Sequence, residues 1–516
     1  MDIAKAYDRL PYPSKFFNRT NPDHLYSLAS LLGVGAAEPG TCRVLELGCG
    51  NGSNLIAHAY NLKDASFVGL DISQVHIDAA KASAERLGLT NTTFECMDVS
   101  DLTDADFGKF DYIIAHGLIS WIPISIRDRI LDVYTELLEP EGIGYVSYNA
   151  FPGSYQRQMV RDIFRFHTSG KTDPTERVQD SITLLSLLAE HSLDQKTHKL
   201  IFARELERHL RHDVSDIYHD DLSDEYHPLH FYEFAELLGK RGLQFLCEAE
   251  FYAMSFGQYP EEVRQFISGI DDIVKREQYL DFFRGRAFRQ SIFCREGIEV
   301  EREPDQSALE RFFLASSVKP DYPNPDLGPG KVVHFKGNWG QGIQIDHPLT
   351  KAALCVLGDA WGEAVAVPEL LQTARRRLEV YGVNVEGPAG DEAMARTVLL
   401  KIFEGTDLIE LHSIGLTAQR EPSETPTLNR LARWQLESAK NVTSLLGLNV
   451  GVRDEVSAEL LRLADGTRDR AALLADLNAF IANSGEDLDK GELPDDMGAW
   501  LDSSLQELAR LGTFEA

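Results

Sequence analysis

The sequence predicts an α/β protein: a doubly wound, Rossmann-like sheet of seven strands over residues 1–153 and 239–300, with a helical insertion at 154–238 and a mainly helical, winged-helix-like half after it. Three observations carry that prediction. Short apolar runs alternate with helical text between Val44 and Ala150, the pattern of right-handed βαβ units in a parallel sheet. Three glycines at alternate positions, Gly48, Gly50 and Gly52, follow the first run. From Ser154 to Leu238 apolar residues recur at three- and four-residue spacing with no convincing strand.

Taken in order, CRVLELGCGNGSNLIAHAY reads as strand, loop and helix: Val44, Leu45 and Leu47 make the run, and a helical pattern resumes at Leu55. SFVGLDIS gives a second strand ending at Asp71, and a helix follows from Ser73 to Leu87. TTFECMDVSDL is a third strand ending near Asp98, and FDYIIAHGLISWI a fourth from Tyr112 to Ala115. A helix near Ile126–Leu138 leads to the fifth strand, GIGYVSYNA. GLQFLCEAEFYAM (242–254) and AFRQSIFCRE (287–296), separated by helical text around Pro260–Arg284, complete the sheet. Residues 154–238 are thereby inserted between its fifth and sixth strands.

Proline and glycine in REPDQS (302–307) and PDYPNPDLGPGK (320–331) deny both helix and ladder, so a domain boundary is expected about here. Beyond it, residues 301–430 carry two helices around a short turn, then a helix and a short strand, a winged-helix-like order. Residues 431–516 read as a helical domain with an acidic tail. From 451 onward there are 6 Lys+Arg against 15 Asp+Glu, which argues against DNA as a ligand.

Composition narrows the function further. The 516 residues allow about three domains, each able to bury its own core. Lys+Arg total 51 against Asp+Glu 81, and 51 − 81 gives a net charge of −30, which opposes a phosphate-binding surface and so nucleic acid as the main partner. The six cysteines lie far apart with no CxxC, so neither a disulfide framework nor a zinc knuckle is expected, and a reducing cytosol fits. The opening MDIAKAYDRLPYPSKFF has no apolar signal region, and no stretch approaches the ~20 apolar residues of a membrane span, so a soluble, cytoplasmic chain without membrane insertion is expected.

The chemistry gathers at Glu46, Gly48, Gly50, Gly52, Asp71 and Asp98, each at or just past the carboxyl end of an expected strand, where open α/β sheets bind ligands. Asp71 is placed to accept hydrogen bonds from both ribose hydroxyls of a nucleoside. The glycine spacing is GxGxG rather than the GxGxxG of dinucleotide sites, and Glu46 stands two residues before the first glycine. An anion there is repulsive to a pyrophosphate and favourable to an amino group or sulfonium, which S-adenosylmethionine carries and NAD does not.

VLELGCGNGSN, VGLDIS, CMDVSDL and FDYIIAHGLISWIP, in that order over residues 43–123, resemble the successive motifs of class I S-adenosylmethionine-dependent methyltransferases. The resemblance implies that Glu46 faces the methionine part of the cofactor. It gives Gly48, Gly50, Asn51 and Gly52 to methionine and ribose, Asp71 with Ile72 to the ribose, Asp98 with Val99 to the adenine, and His116 with Gly117 to the methionine near the substrate. YDRLPYPSKFFNRTNPDHLYSLASLLG, SYNAFPGSYQRQMVRDIFRFH, YHDDLSDEYHPLHFYEFAELL and EQYLDFFRGRAFRQSIFC are similar to bacterial methyltransferases with a methyltransferase regulatory domain. That group includes rickettsial lysine methyltransferases of outer-membrane surface protein. The likeness continues through ARWQLESAKNVTSLL and LADGTRDRAALLADL, and departs from the pattern at HFYEF (230–234). It implies an N-terminal segment, with Tyr7 and Tyr12, over the cofactor, a helical dimerisation or lid region, an open substrate cleft, and a lysine-bearing protein as methyl acceptor.

For such an acceptor the enzyme chiefly positions and desolvates an amine that must lose a proton. Trp121, one turn past the fourth strand, and Tyr148 with Asn149, at the end of the fifth, are the candidates to line the acceptor site, with His219 as a further one; core packing is the alternative for each aromatic. No metal is required. His209, His212, His219, His227 and His230 lack HExxH or a repeated pair, and a solvated helix face is the expected reading. Small-molecule methylation and cofactor sensing without turnover are the rival functions.

Overall fold

The structure, a computed structural model, describes residues 10, 16–103, 107–338, 340–383, 388–417, 421–437, 441–452, 454–484 and 496–515. Helix α1 (Pro22–Leu31) precedes β1 (Arg43–Leu47), α2 (Ser53–Asn61), β2 (Ser66–Asp71), α3 (Gln74–Leu87), β3 (Thr92–Cys96), β4 (Phe110–Ala115), α4 (Ile124–Leu137) and β5 (Leu138–Asn149). Helices α5 (Ser154–His167), α6 (Pro174–His191), α7 (His198–His209), α8 (Val214–Asp221) and α9 (Phe231–Gly239) form the insertion. Then come β6 (Leu243–Glu248), α10 (Glu261–Ser268), α11 (Ile273–Arg284) and β7 (Phe288–Arg295). The seven strands run in the order β3-β2-β1-β4-β5-β7-β6, with β1 to β5 parallel and β7 antiparallel to both of its neighbours. Alternation sends Val44 of β1 to one buried face and Leu45 and Leu47 to the other, so both faces of the strand are covered and, apart from Arg43 and Glu46, its residues are apolar. The strand order reverses between β1 and β4, which opens a crevice at the carboxyl ends of these strands.

The second half departs from expectation in two places. Strands β8 (Phe313–Ala315), β9 (Lys319–Pro320), β10 (Val333–Lys336) and β11 (Gly342–Ile345) precede α12 (Pro348–Asp359), β12 (Val365–Ala366), α13 (Val367–Val380), α14 (Pro388–Gly405) and β13 (Glu410–His412). The proline-rich run 320–331 connects the paired strands β9 and β10 and is therefore internal to this unit. Buried Lys351 fastens it by donating to the Asp326, Gly328 and Lys331 carbonyls at 3.2, 2.7 and 2.8 Å. The core here is continuous with one face of the seven-stranded sheet, from Val44 and Phe67 through Leu309 to Leu349 and Leu399. Finally come α15 (Arg430–Gln435), the hairpin β14 (Asn441–Thr443) and β15 (Asn449–Gly451), α16 (Glu455–Leu463), α17 (Arg470–Asn483) and α18 (Met497–Arg510); the last three helices share one small core, and α15 and the hairpin pack on Leu461 of α16 in a second. The hairpin escapes a purely helical reading because strands of three residues show no alternation.

Helix α1 is the meeting point of distant segments. Asp23 accepts from His412 Nδ1 at 2.8 Å and from the Ser413 N–H at 2.8 Å. The Ser30 carbonyl accepts from Arg311, and just before the helix the Phe16 carbonyl accepts from Asn449 Nδ2 at 3.3 Å. No helix among the described residues is long and apolar enough to cross a membrane.

Candidate active site

The loop after β1 is folded against the end of β2. The Gly48 and Cys49 N–H groups donate to the Leu70 carbonyl at 2.8 and 3.0 Å, and the Gly50 N–H donates to Asp71 Oδ2 at 2.9 Å. The Ser73 N–H donates to Asp71 Oδ1 at 2.9 Å, so each carboxylate oxygen takes one backbone bond and retains acceptor capacity toward the crevice. Gly50 has φ 54° with open space where a Cβ would stand, so the backbone offers a bare cradle. Gly52, at φ 75°, starts α2, and a Cβ there would stand 2.8 Å from the Phe94 ring.

Glu46 is buried at the end of β1. Its Oε1 accepts from Asn54 Nδ2 at 2.8 Å, while Oε2 has no hydrogen-bond partner among the described residues. Burial pushes the carboxyl up to about 8, the Asn54 bond opposing and the Asp71 charge assisting. Asn54 is set from behind: its Oδ1 accepts the Phe17 N–H at 3.0 Å, and its Nδ2 lies 3.0 Å from Thr20 Oγ1. The Thr20 hydroxyl also lies 3.0 Å from Nε2 of His58, which burial holds down at about 3 and therefore neutral. A buried carboxylate oxygen without a donor, facing a glycine cradle, fits a cationic amino group; Asp71 and the cradle fit a ribose.

These groups line one cavity of about 1240 Å³, larger than the roughly 300–1,000 Å³ of a pocket for one small ligand, which leaves room for a second reactant. Glu46, Gly48, Gly50, Asn51, Asp71 and Ile72 line it, as do Asp98, Val99, His116 and Gly117 further along the strand ends. The His116 ring stacks on Phe17 with centroids 3.7 Å apart, and its Nδ1 lies 2.9 Å from the Tyr145 hydroxyl, which donates to Gln290 Oε1 at 2.8 Å. The Gly117 N–H donates to Ser147 Oγ at 2.7 Å.

Of the acceptor-site candidates, Trp121 and Asn149 line this cavity. The Asn149 N–H donates to Ser120 Oγ at 2.9 Å, which ties the end of β5 to the β4 loop. Two guanidinium groups already lie over the Trp121 ring, Arg157 at 5.3 Å and Arg161 at 5.4 Å from its centroid, so the ring is engaged within the protein. Tyr148 is corrected to a core residue: it is 1% exposed, packs on Phe234 at 4.6 Å between centroids, and does not line the cavity. His219 is corrected likewise: its Nε2 lies 2.5 Å from the Leu10 carbonyl, outside the cavity wall. Gly52 turns the chain without lining the cavity. Tyr7 and Tyr12 lie outside the described residues. The solvated histidine face is corrected at His209, which is buried with Nε2 3.1 Å from the fully buried Asp221. Among the described residues no group of three or more His, Cys, Asp or Glu side chains is placed to hold a metal.

Sequence reasoning missed Phe17, Asn54 and the arginines of α5 and α7. Asn54 stood inside the glycine motif at one turn from Asn51, and the arginines stood on a helical period; neither signal separates a cavity wall from a solvated face.

Three family models match the chain: a methyltransferase domain over residues 40–210, a predicted methyltransferase regulatory domain over 213–295, and the PKMT C-terminal winged helix domain over 424–512, downstream of the stretch in which a winged-helix order was expected. An uncharacterised protein of Rickettsia prowazekii is 30% identical over 506 residues, covering 94% of this chain and 87% of that one. A second from the same organism is 31% identical over 243 residues, 47% of this chain and 96% of that one. The fold matches the structure of PKMT2 from Rickettsia typhi in complex with AdoHcy, with a TM-score of 0.85 at 24% identity over 98% of this chain and 100% of that one.

Proposed function

The chain belongs to the methyltransferase family that joins a methyltransferase domain, a methyltransferase regulatory domain and a PKMT C-terminal winged helix domain, and from that premise we propose that it methylates lysine side-chain amines of a protein. It is an S-adenosylmethionine-dependent enzyme. The observation that carries the site is Oε2 of Glu46, buried beside the glycine cradle without a hydrogen-bond partner among the described residues. The winged helix model, that of protein lysine methyltransferases, supports the class of acceptor.

When bound, S-adenosylmethionine supplies a methyl carbon on a sulfonium whose sulfur departs as a thioether. The residues of the chain bind and orient. Glu46 Oε2 takes the ammonium, Asp71 accepts the ribose hydroxyls, and Asp98 with Val99 flanks the base. Phe17 stacked on His116 closes one wall and Trp121 stands in another, so the amine meets the methyl group in a restricted, poorly hydrated space. The same proposal places the enzyme in the cytoplasm, acting on a surface or outer-membrane protein. It also joins two copies through residues 154–238, where Leu193 is 97% and Leu200 64% exposed; light scattering tests the dimer.

The activity test is incubation with labelled methyl donor and either lysine-rich polypeptides or a small-molecule extract. Label on lysine is the expected result. Label only on small molecules overturns the acceptor class, and cofactor binding with label on neither makes the protein a sensor.

A further inference from the structure

The two ends of the cavity differ in charge. Glu46, Asp71 and Asp98 line the strand end, whereas the wall built by α5, α7 with the turn after it and the end of α11 is rich in arginine. Most of those arginines are answered. Arg157 pairs with Asp220 at 3.1 Å and Asp221 at 2.9 Å, Arg208 with Glu205 at 3.0 Å and Asp221 at 3.3 Å, and Arg211 with Glu207. Two are not. Arg204, exposed and one turn before Arg208 on α7, has no hydrogen bond or ion pair among the described residues. Arg284, at the end of α11, spends its guanidinium on the Ala253 and Ser255 carbonyls and has no carboxylate partner among them. In a chain with 81 acidic and 51 basic residues, two arginines without a carboxylate partner among the described residues stand on the wall of one cavity.

We propose that Arg204 and Arg284 receive a carboxylate of the polypeptide substrate, so that the preferred acceptor lysine has aspartate or glutamate among its near neighbours in sequence. This rests on the protein-lysine reading above. The Arg204 guanidinium takes the carboxylate by charge-assisted, two-pronged hydrogen bonds, and Arg284, its terminal nitrogens already on carbonyls, adds positive charge to the same wall, so the two set where the polypeptide lies and which lysine reaches the strand end. Both arginines act as specificity residues away from the reacting atoms.

The test uses the full-length protein at low salt with S-adenosylmethionine and three peptides, one lysine each, flanked by glutamate, glutamine or lysine. Wild type is expected to show a KM for the glutamate-flanked peptide roughly fivefold below the glutamine-flanked one. Arg204→Glu is expected to reverse that order in favour of lysine flanks, and Arg284→Gln to halve the preference, while the cofactor dissociation constant, read by calorimetry, stays at the wild-type value and reports folding. Equal KM values across flanks in wild type, or an unchanged order in Arg204→Glu, overturn the proposal. Weakened cofactor binding in Arg204→Glu also overturns it, by giving the guanidinium to the cofactor's own carboxylate. Label on none of the peptides, with the cofactor bound, overturns the protein-lysine reading and this assignment together.

Discussion

Glu46 is neutral at pH 7 when its site holds no cation, because burial keeps its carboxyl near 8. An ammonium against Oε2 takes the ionised form, so binding below that pH expels a proton and affinity for the cofactor rises with pH, from about 6 to about 8, before levelling. Calorimetry in buffers of different ionisation enthalpy measures that proton. Glu46→Gln is expected to flatten the pH profile and weaken binding by ~1–3 kcal/mol, and a variant that keeps the wild-type slope places the titration elsewhere. Asp71→Ala removes acceptors for a ribose together with the anchors of the Gly50 and Ser73 N–H groups, and is expected to raise the cofactor dissociation constant about ten- to a hundredfold. Both residues were legible in the sequence because each sits where a strand stops, and a strand end is the one place where alternation and turn chemistry fix the direction of a side chain. Tyr148 was not, since β5 is covered on both faces and its residues give no sign of which side opens onto a cavity. His209 was misread for a related reason: its buried partner, Asp221, comes from the next helix, and helical period says nothing about what another helix brings.

At the level of elements, the parallel strands and their helices were readable to within a few residues, as burial on both faces gives β2 and β4 mostly apolar runs, while β3, with one buried residue of five, was placed by its position after a helix. The middle unit was harder. Its strands are two to four residues long, and its proline-rich run, which looks like a linker, is a connection between paired strands held by Lys351. The seam between α1 and β13 carries its own pH dependence. Burial opposes charge on His412, but the hydrogen bond to Asp23, the Glu410 carboxylate 3.5 Å from Nε2 and the charges of both outweigh it and hold the imidazole up at about 10. A histidine raised from 6.5 to about 10 contributes stability that is full below pH 6.5 and is lost as pH rises through about 10. The melting temperature of wild type is therefore expected to fall between those values more steeply than that of His412→Gln. Coincident profiles would remove His412 from that account.

For the molecule as a whole, under the proposed function, a net charge of −30 is expected to set a long-range field that draws in lysine-rich polypeptide, while the two arginines that lack a carboxylate partner among the described residues sort what arrives. The two effects separate by salt. With a screening length of about 10 Å at 0.1 M, raising salt from roughly 0.05 to 0.5 M is expected to cut the association rate for a lysine-rich substrate about tenfold or more, read by stopped-flow fluorescence; a salt-independent rate denies the steering. The position of α1 has a consequence in time. A ribosome makes this helix before β1, yet the groups that fix it, at Arg311, His412 and Ser413, emerge hundreds of residues later, as does Asn449, which bonds the Phe16 carbonyl ahead of it. The sheet that carries Glu46 and Asp71 is complete once β7 has been made, but the carbonyl of Phe16, next to the Phe17 wall, is bonded only after β14 and β15 begin to form. In the order of synthesis the seam at α1 is therefore closed after the sheet that carries the site.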